Sequence, residues 1–269
     1  MKLCSIASGS SGNCIYVGTG KTNLLVDAGI SGKRIEAGLS ELLVDAAKID
    51  GILITHEHLD HIKGLGVMTR RYGLPIYATK GTIDAMLATK DLAKTPHELI
   101  HEIRADDPFE LNDITVNPIH ISHDAADPVA YRFTSDGRSV AVMTDLGKYD
   151  EYIIDNLKGV SALLLEANHD VNMLEAGRYP YYLKQRILSD RGHLSNDTAG
   201  ELTEVLLSCG DDLKTVLLGH LSKENNYDKL AYETVRMEIG LTGERLMPSL
   251  TDFRLMVAGR DKRSECIAV

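Results

Sequence analysis

A six-residue stretch, His-Glu-His-Leu-Asp-His at residues 56–61, concentrates the side chains best suited to bind metal ions. One residue, Thr55, separates it from residues 49–54, an apolar run rich in isoleucine that predicts a buried strand. Because successive side chains of an extended segment point to opposite sides, His56 and His58 share one side. A solvated polar turn with incidental histidines is the alternative, but three histidines at the end of a buried strand favour metal binding.

The next two candidate ligands, Asp60 and His61, fall where the chain turns into a predicted helix. They can therefore reach a second point close to the first. Imidazole and carboxylate groups suit Zn, Mn, Fe or Ni, and no thiolate is offered. The spacing predicts two divalent metal ions, one held by His56 and His58 and the other by Asp60 and His61.

Further candidate ligands stand at the ends of predicted strands elsewhere in the chain. Asp145 follows an apolar strand, where it could bridge both ions with one oxygen on each or instead cap the next helix. His120 and His123 are an odd number of residues apart, so on a strand they face opposite sides and both cannot bind one ion. His123, beside an Asp- and Pro-rich loop, is the preferred ligand. His220 follows a late predicted strand and completes the ligands of the second ion.

Other residues could contact an anionic substrate. The turn Ser8–Asn13 is rich in small residues whose N–H groups and hydroxyls could cradle a phosphate, although a plain hairpin turn is equally compatible. His193 precedes a predicted helix and could contact an anion or donate a proton. Residues 178–191 combine four basic side chains with three tyrosines. That mixture suits phosphate contacts and base stacking, or alternatively a solvated helix face. His169 could line the cleft or order neighbouring loops.

The composition is that of an ordinary globular protein, with 43% hydrophobic and 25% charged residues among 269. No linker, repeat or low-complexity tract divides the chain, so we expect a single domain over residues 1–269. No stretch approaches the ~18 apolar residues needed to span a bilayer. Neither a secretion signal nor a paired-cysteine motif is found, which predicts a cytoplasmic protein.

The net charge of −10, from 29 basic and 39 acidic residues, argues against binding nucleic acid through global charge. An anionic substrate would therefore need the metal ions and a local basic patch.

Strand and helix signals together predict an α/β fold. Strands are predicted at residues 3–7, 13–18, 22–27, 49–54, 74–78, 114–121, 129–134, 139–144, 161–165, 215–218, 245–247 and 253–257, and helices at residues 31–43, 60–72, 82–88, 172–179, 181–189, 196–208 and 227–239. The polar segment 89–107 is predicted to be loop, and the tail 259–269 is predicted to be frayed.

The pattern HxHxDH is the signature of the metallo-β-lactamase superfamily, and the whole chain resembles that fold, a four-layer αββα sandwich of two pseudo-symmetric halves. Seven motifs occur in the order found in the YycJ/WalJ/VicX-type metallohydrolases of bacteria, which the chain resembles most specifically. These motifs are SGSSGN, THEHLDHIKG, SHDAADPVAY, TDLG, EANHD, RGHLSN and GHLSKENN. That family is similar to the nucleic-acid-processing branch that includes RNase J and tRNase Z, without the inserted β-CASP domain.

The resemblance implies a ligand set. One ion would be held by His56, His58 and His123, the other by Asp60, His61 and His220, with Asp145 bridging the two. In the superfamily, an Asp at the position of Asp27 supports the ligand loop without binding metal; as an isolated feature, it could instead cap a helix.

The resemblance also implies Mn-supported 5′-to-3′ exonuclease activity on DNA, while the residues themselves do not distinguish DNA from RNA or one divalent metal from another. In this hypothesis a hydroxide bridging the two ions attacks the phosphodiester, Asp60 holds the nucleophile and His193 protonates the leaving oxygen. The candidate phosphate contacts are Ser8, Ser10, Asn13, Lys223 and Asn225.

Two other classes of function are compatible with the same residues. An acyl hydrolase, such as a glyoxalase II-like thioesterase or a lactonase, would use the same metals. A non-enzymatic regulator would keep the fold without the chemistry. His193, which acyl hydrolysis does not require, and the basic and aromatic segment 178–191 favour the phosphodiesterase.

Overall fold

Two β-sheets lie face to face at the centre of the fold, and helices cover the outer face of each. The computed structural model describes residues 1–210, 212–240 and 252–269. Within them, each sheet has seven strands. The predicted four-layer αββα architecture is therefore confirmed.

The strands are numbered in chain order. The first sheet runs in the order β14 (Ile267–Ala268), β1 (Lys2–Ala7), β2 (Cys14–Gly18), β3 (Asn23–Val26), β4 (Gly51–Leu53), β5 (Ile76–Thr79) and β6 (Ile100–Ile103). The second runs β13 (Arg254–Val257), β12 (Thr215–Gly219), β11 (Ala162–Glu166), β10 (Arg138–Met143), β9 (Val129–Ser135), β8 (Ile114–His120) and β7 (Phe109–Leu111).

The helices fall into two groups that follow the two halves of the chain. The first half contains α1 (Gly32–Glu41), α2 (Leu59–Ile62), α3 (Leu65–Tyr72) and α4 (Lys80–Leu87). The second half contains α5 (Glu151–Leu157), α6 (Val171–Ala176), α7 (Tyr181–Ile187), α8 (Asn196–Ser208) and α9 (Asp228–Glu238). No helix in these described ranges is long and apolar enough to cross a membrane.

The two halves repeat one topology. Strands β1, β2 and β3 pair antiparallel, and β3 to β6 continue the sheet in parallel. Strands β8, β9 and β10 pair antiparallel in the same way, and β10 to β13 continue in parallel. The carboxyl ends of neighbouring parallel strands therefore meet at one edge of each sheet, which is where α/β proteins place their sites.

Alternating side chains of the central strands join the layers. In β3, Leu25 belongs to the core shared with α1 and α3, whereas Leu24 and Val26 face the other sheet. In β11, Leu164 faces the first sheet while Leu163 packs in the core shared with α8 and α9. Because both faces are covered, these strands are continuous apolar runs, which is why their positions are predicted well from sequence.

Three local predictions are corrected by the structure. The predicted helix 60–72 is two helices, α2 and α3, separated at Gly64. The Gly64 N–H donates to Ala28 O (2.7 Å), and a Cβ there would lie 2.1 Å from Ile30 O. The predicted loop 89–107 contains β6, an edge strand whose exposed residues hide the strand pattern.

The third correction concerns the tail 259–269, which is ordered rather than frayed. Ser264 N donates to Ser5 O (2.8 Å), and Ser5 N donates to the Ser264 hydroxyl (3.0 Å). Strand β14 then extends the first sheet by pairing with β1. The predicted strand 245–247 lies outside the described residues.

Candidate active site

The site is built at the carboxyl ends of parallel strands from both sheets. Five residues at or just beyond the ends of β3, β4, β10, β11 and β12 converge there: Asp27, His56, Asp145, Glu166 and His220. The buried strands fix the backbone, so the geometry of these side chains depends little on flexible loops.

Three of these residues adopt the left-handed region of backbone conformation. The φ angles are 62° at Asp27, 59° at Asp145 and 54° at His220. Such angles cost about 1–3 kcal/mol in a residue other than glycine. Glycine would relieve this strain but would remove a side chain that points into the site, which suggests that these side chains are needed there.

The first group of predicted ligands is brought together by the fold. Ring nitrogens of His56, His58 and His123 all lie within 4.8 Å of one another, with His123 Nε2 3.4 Å from His58 Nδ1. His123 Nδ1 donates to Gly192 O (3.1 Å), which leaves Nε2 to face the other two rings. His56 Nε2 is buried and has no hydrogen-bond partner within the described ranges.

The second group, Asp60, His61 and His220, also lies within 4.8 Å. Asp60 Oδ2 is 3.5 Å from His61 Nε2 and 3.4 Å from His220 Nε2. The carboxylate of Asp27 lies behind this group, where it accepts from His61 Nδ1 (2.7 Å) and from Thr55 N (2.9 Å). These contacts orient the His61 ring so that its Nε2 faces the site.

Asp145 stands between the two groups. Its Oδ2 is 3.2 Å from His61 Nε2, and its Oδ1 is 3.7 Å from His123 Nε2. The carboxylate is almost fully buried, and Oδ2 makes no hydrogen bond within the described chain. Oδ1 also lies 3.5 Å from His220 Nδ1, so the carboxylate is close to residues of both groups, as a residue that would bridge two cations must be.

The charge balance of the site fits divalent cations. Burial alone would lower the pKa of His61, but Asp145 and Asp27 outweigh it and hold that pKa well above its usual value. At His220 burial is likewise outweighed, by Asp145 and Asp60, and the pKa rises to about 10. Protons on imidazoles thus compensate the buried carboxylates, and cations would replace those protons. With its imidazole and carboxylate donors, the site fits the divalent metals that this fold implies.

Glu166 is a functional candidate that was missed from the sequence. Its carboxylate is fully buried and accepts four hydrogen bonds. Oε1 accepts from His193 Nδ1 (2.8 Å) and His220 Nδ1 (2.6 Å), and Oε2 from Leu146 N (2.9 Å) and Leu194 N (3.3 Å). The sequence does contain a pattern that indicates Glu166: an apolar strand ends in this carboxylate, much as another apolar strand ends shortly before Asp145.

His193 is placed by Glu166 at the mouth of the site. Its Nδ1 is 3.6 Å from Asp145 Oδ1, and its side chain is 21% exposed. Burial would lower the pKa of His193, but Glu166 more than offsets that effect and raises it. The raised pKa favours the protonated imidazole, in which Nδ1 donates to Glu166 and Nε2 carries the second proton. By contrast, His169 is buried, and its backbone carbonyl accepts from Asn196 N (2.9 Å), which orders the loop before α8.

The predicted phosphate contacts separate into two kinds. Ser8 and Asn13 are buried and hold the site from inside: Ser8 Oγ accepts from His220 N (2.8 Å), and Asn13 Nδ2 lies 3.1 Å from His61 Nε2. Ser10 and Lys223 are exposed at the surface. Asn225 is buried, with an Nδ2 that has no partner among the residues described.

Arg260, in the tail predicted to be frayed, was also missed. Its side chain packs on the turn 8–13, since a Cβ at Gly9 would lie 3.1 Å from Arg260 Cγ. Nη2 donates to Ser222 O (2.9 Å) and Leu221 O (3.3 Å). No carboxylate within the described ranges lies within 4.0 Å of this guanidinium, so its charge is free to meet an anion beside the site.

The layered sheets and the ligand groups at their strand ends define a metallo-β-lactamase-fold hydrolase. A family model described as Beta-lactamase superfamily domain matches residues 22–220. The chain belongs to this superfamily and, within it, to the family of WalJ and YycJ.

The relatives on which this assignment rests are similar over most of their length. Exodeoxyribonuclease WalJ of Streptococcus pneumoniae is 44% identical over 234 residues, which cover 87% of this chain and 86% of the relative. Exodeoxyribonuclease YycJ of Bacillus anthracis is 44% identical over 231 residues, 86% of either chain. Among solved structures, Zn²⁺-bound PqqB from Methylobacterium extorquens superposes with a TM-score of 0.70 over the full length of both chains at 17% identity, which supports the fold alone.

Proposed function

We propose that the chain is a two-metal phosphodiesterase that degrades DNA from the 5′ end. The observation that carries this proposal is His193, held by Glu166 beside both predicted ligand groups, where it can protonate a leaving oxygen. The exodeoxyribonuclease names of relatives that are 44% identical support the same substrate class. A cytoplasmic location, where DNA is accessible, is part of the proposal.

The two cations would be held by the groups described above. The proposed ligands are His56, His58 and His123 for one, Asp60, His61 and His220 for the other, and Asp145 for both. When bound, divalent cations make water more acidic and offset negative charge on phosphoryl oxygens. Mn²⁺ is the expected ion, and Zn, Fe or Ni are compatible with the same donors.

The protein's own side chains would then orient the reaction. Asp60, partly exposed, accepts a hydrogen bond from the attacking water and fixes its direction. His193 donates its Nε2 proton to the leaving 3′-oxygen, because its Nδ1 proton is engaged by Glu166. Ser10 and Lys223 are proposed to contact phosphates at the rim, and Arg260 joins them from the tail, whereas Asn225, also predicted as a phosphate contact, is buried.

The test is cleavage of a 5′-phosphorylated, single-stranded DNA oligonucleotide labelled at its 3′ end. Metal-stripped protein would be reloaded separately with Mn²⁺ and Zn²⁺. We expect a metal-dependent ladder of 3′-labelled fragments, absent for His58→Ala. The matched control is His120→Ala, since His120 is exposed at the end of β8 and belongs to neither ligand group.

The result also decides against the alternatives. Cleavage of the matching RNA in preference to DNA would change the substrate class. No cleavage of either polymer with either metal would refute the phosphodiesterase, and hydrolysis of a thioester or lactone by the same protein would then favour the acyl hydrolase.

A further inference from the structure

Helix α7 is unusual because it has no buried residue. Tyr181 and Tyr182 are 75% and 73% exposed, which places two aromatic rings on the surface. A seven-residue helix is not stable alone, and packing of an apolar face normally supports such a helix. Something other than a buried face must hold α7, and its exposed rings need another explanation.

The helix is held at its end by the active site. His193 N donates to Ile187 O (3.0 Å), so the last residue of α7 is tied to the proposed acid. Arg191 Nη2 donates to His123 O (3.2 Å), and Arg186 forms an ion pair with Asp124, the neighbour of His123. Helix α7 is therefore a fixed part of the rim of the cleft.

The turn between α7 and His193 requires glycine. A Cβ at Gly192 would lie 2.1 Å from Ile187 O and 2.4 Å from Arg186 O. Both are backbone atoms of α7 that cannot move without unwinding it. The close approach therefore couples the position of the helix to that of the catalytic candidate.

The charge of this segment opposes that of the whole chain. Residues 178–191 contain four basic side chains and one acidic side chain, a net charge of +3 in a protein of net charge −10. In the described parts of the chain, Arg178, Lys184 and Arg191 have no carboxylate within 4.0 Å. Lys184 Nζ and Arg191 Nη2 donate to backbone carbonyls, those of Glu175 (2.7 Å) and His123 (3.2 Å). Cations without an acidic partner in the described chain are thus combined with exposed rings at the edge of the cleft.

We propose that residues 178–191, the α7 platform, bind single-stranded DNA. Bases stack on Tyr181 and Tyr182, while Arg178 and Lys184 contact the phosphates. This inference rests on the proposed function and narrows its substrate to a strand whose base faces are accessible. Stacking tolerates any sequence because every base has a π face, which suits an enzyme that must advance along a strand of any composition.

The experiment measures fluorescence anisotropy of a labelled, phosphorothioate-linked single-stranded oligonucleotide with the full chain loaded with Mn²⁺. Tyr181→Ala/Tyr182→Ala should bind at least about fivefold more weakly, the minimum expected for loss of one stacked base. Tyr181→Phe/Tyr182→Phe should bind as the unmodified protein does, because the rings remain. Lys184→Ala should lower the slope of log K against log salt concentration by about 0.7.

The controls lie at the opposite edge of the sheets. Leu43→Ala removes a side chain that is 95% exposed beyond α1, and Lys214→Ala removes a cation at the amino end of β12. Both should bind as the unmodified protein does. Equal binding by the double alanine variant would overturn the proposal and leave the platform to a protein partner, and weak binding by the phenylalanine variant would contradict stacking.

Cleavage of the ordinary oligonucleotide, measured in parallel, keeps the two proposals separate. A protein that binds through the tyrosines yet cleaves no nucleic acid would support the platform and refute the nuclease. Cleavage by the unmodified protein, together with unaltered binding by the double alanine variant, would support the nuclease and refute the platform.

Discussion

Replacing Glu166 by Gln should separate the proposed acid from the metal site without changing the size of the side chain. The carboxylate uses both oxygens, one for two imidazole N–H groups and the other for the backbone N–H groups of Leu146 and Leu194. A glutamine has only one oxygen. Whichever way it turns, its NH₂ group faces two other donors, so two of the four hydrogen bonds are lost.

The expected magnitude follows from what those bonds hold. Hydrogen bonds to a charged group contribute about 1.5–3 kcal/mol each. Loss of an oriented general acid costs about 10²–10⁴-fold in rate. Loss of the partner that orients a ligating histidine costs about 10–100-fold in metal affinity. We therefore expect Glu166→Gln to lower kcat by about 10²-fold even when metal is saturating.

The pH profile gives an independent readout. The pKa of His193 is lowered by burial and raised more strongly by Glu166. Without the carboxylate the largest upward effect on this pKa is lost, and burial is opposed only by Asp145, so His193 loses its proton at a lower pH. A general acid must be protonated, and the fall in activity with rising pH should therefore begin at a lower pH in Glu166→Gln.

The assay is initial-rate cleavage of the oligonucleotide across pH, at saturating Mn²⁺, with metal affinity measured separately by calorimetry. Glu201→Gln, on the exposed face of α8, is the matched control. Thermal unfolding would show that the variant is folded. A kcat within about twofold of the unmodified protein at saturating metal would refute the role assigned to Glu166.

Three further predictions test other parts of the site. Asp27→Asn should weaken metal binding by about 10–100-fold in calorimetry, because the His61 ring loses its orienting carboxylate; unchanged affinity would contradict this. Arg260→Ala should raise KM for DNA while Arg260→Lys raises it less, and equal KM values in steady-state kinetics would exclude the guanidinium from substrate binding. Chelation should lower the melting temperature measured by scanning fluorimetry, and Mn²⁺ should restore it, because cations stabilise only the folded site; a melting temperature indifferent to both would argue against a metal centre.

The buried strands of the two sheets could be predicted because a strand covered on both faces needs apolar side chains at nearly every position. Strands β10, β11 and β12 are continuous apolar runs, since both of their faces are covered. The residues that follow such runs, Asp145 and His220, could therefore be assigned to one edge of the sheet from the amino-acid sequence alone.

Features at the surface could not be predicted in the same way. Strand β6 was not predicted because its apolar and polar residues do not alternate clearly: His101 and Glu102 are consecutive and both exposed at the edge of the sheet. The tail carries four charged residues between positions 260 and 263, and only its pairing with β1 reveals that it is ordered. The direction of a side chain in a turn cannot be read from the sequence either. Ser8 and Asn13 point inward and contact His220 and His61, which no local sequence pattern indicates.

The repeated topology explains why one imidazole sits between two carboxylates. Asp27 and Asp145 follow the equivalent strands β3 and β10, and both have left-handed φ angles, 62° and 59°. Asp27 accepts from His61 Nδ1 at 2.7 Å, whereas Asp145 meets Nε2 of the same ring at 3.2 Å. A left-handed residue after the third strand of each half thus supplies a carboxylate to the site. In the first half this carboxylate, Asp27, orients the ring, and in the second half Asp145 faces the proposed metal position. Their roles cannot be exchanged, because Asp27 is also fixed by the N–H and hydroxyl of Thr55, which turn it away from the cleft.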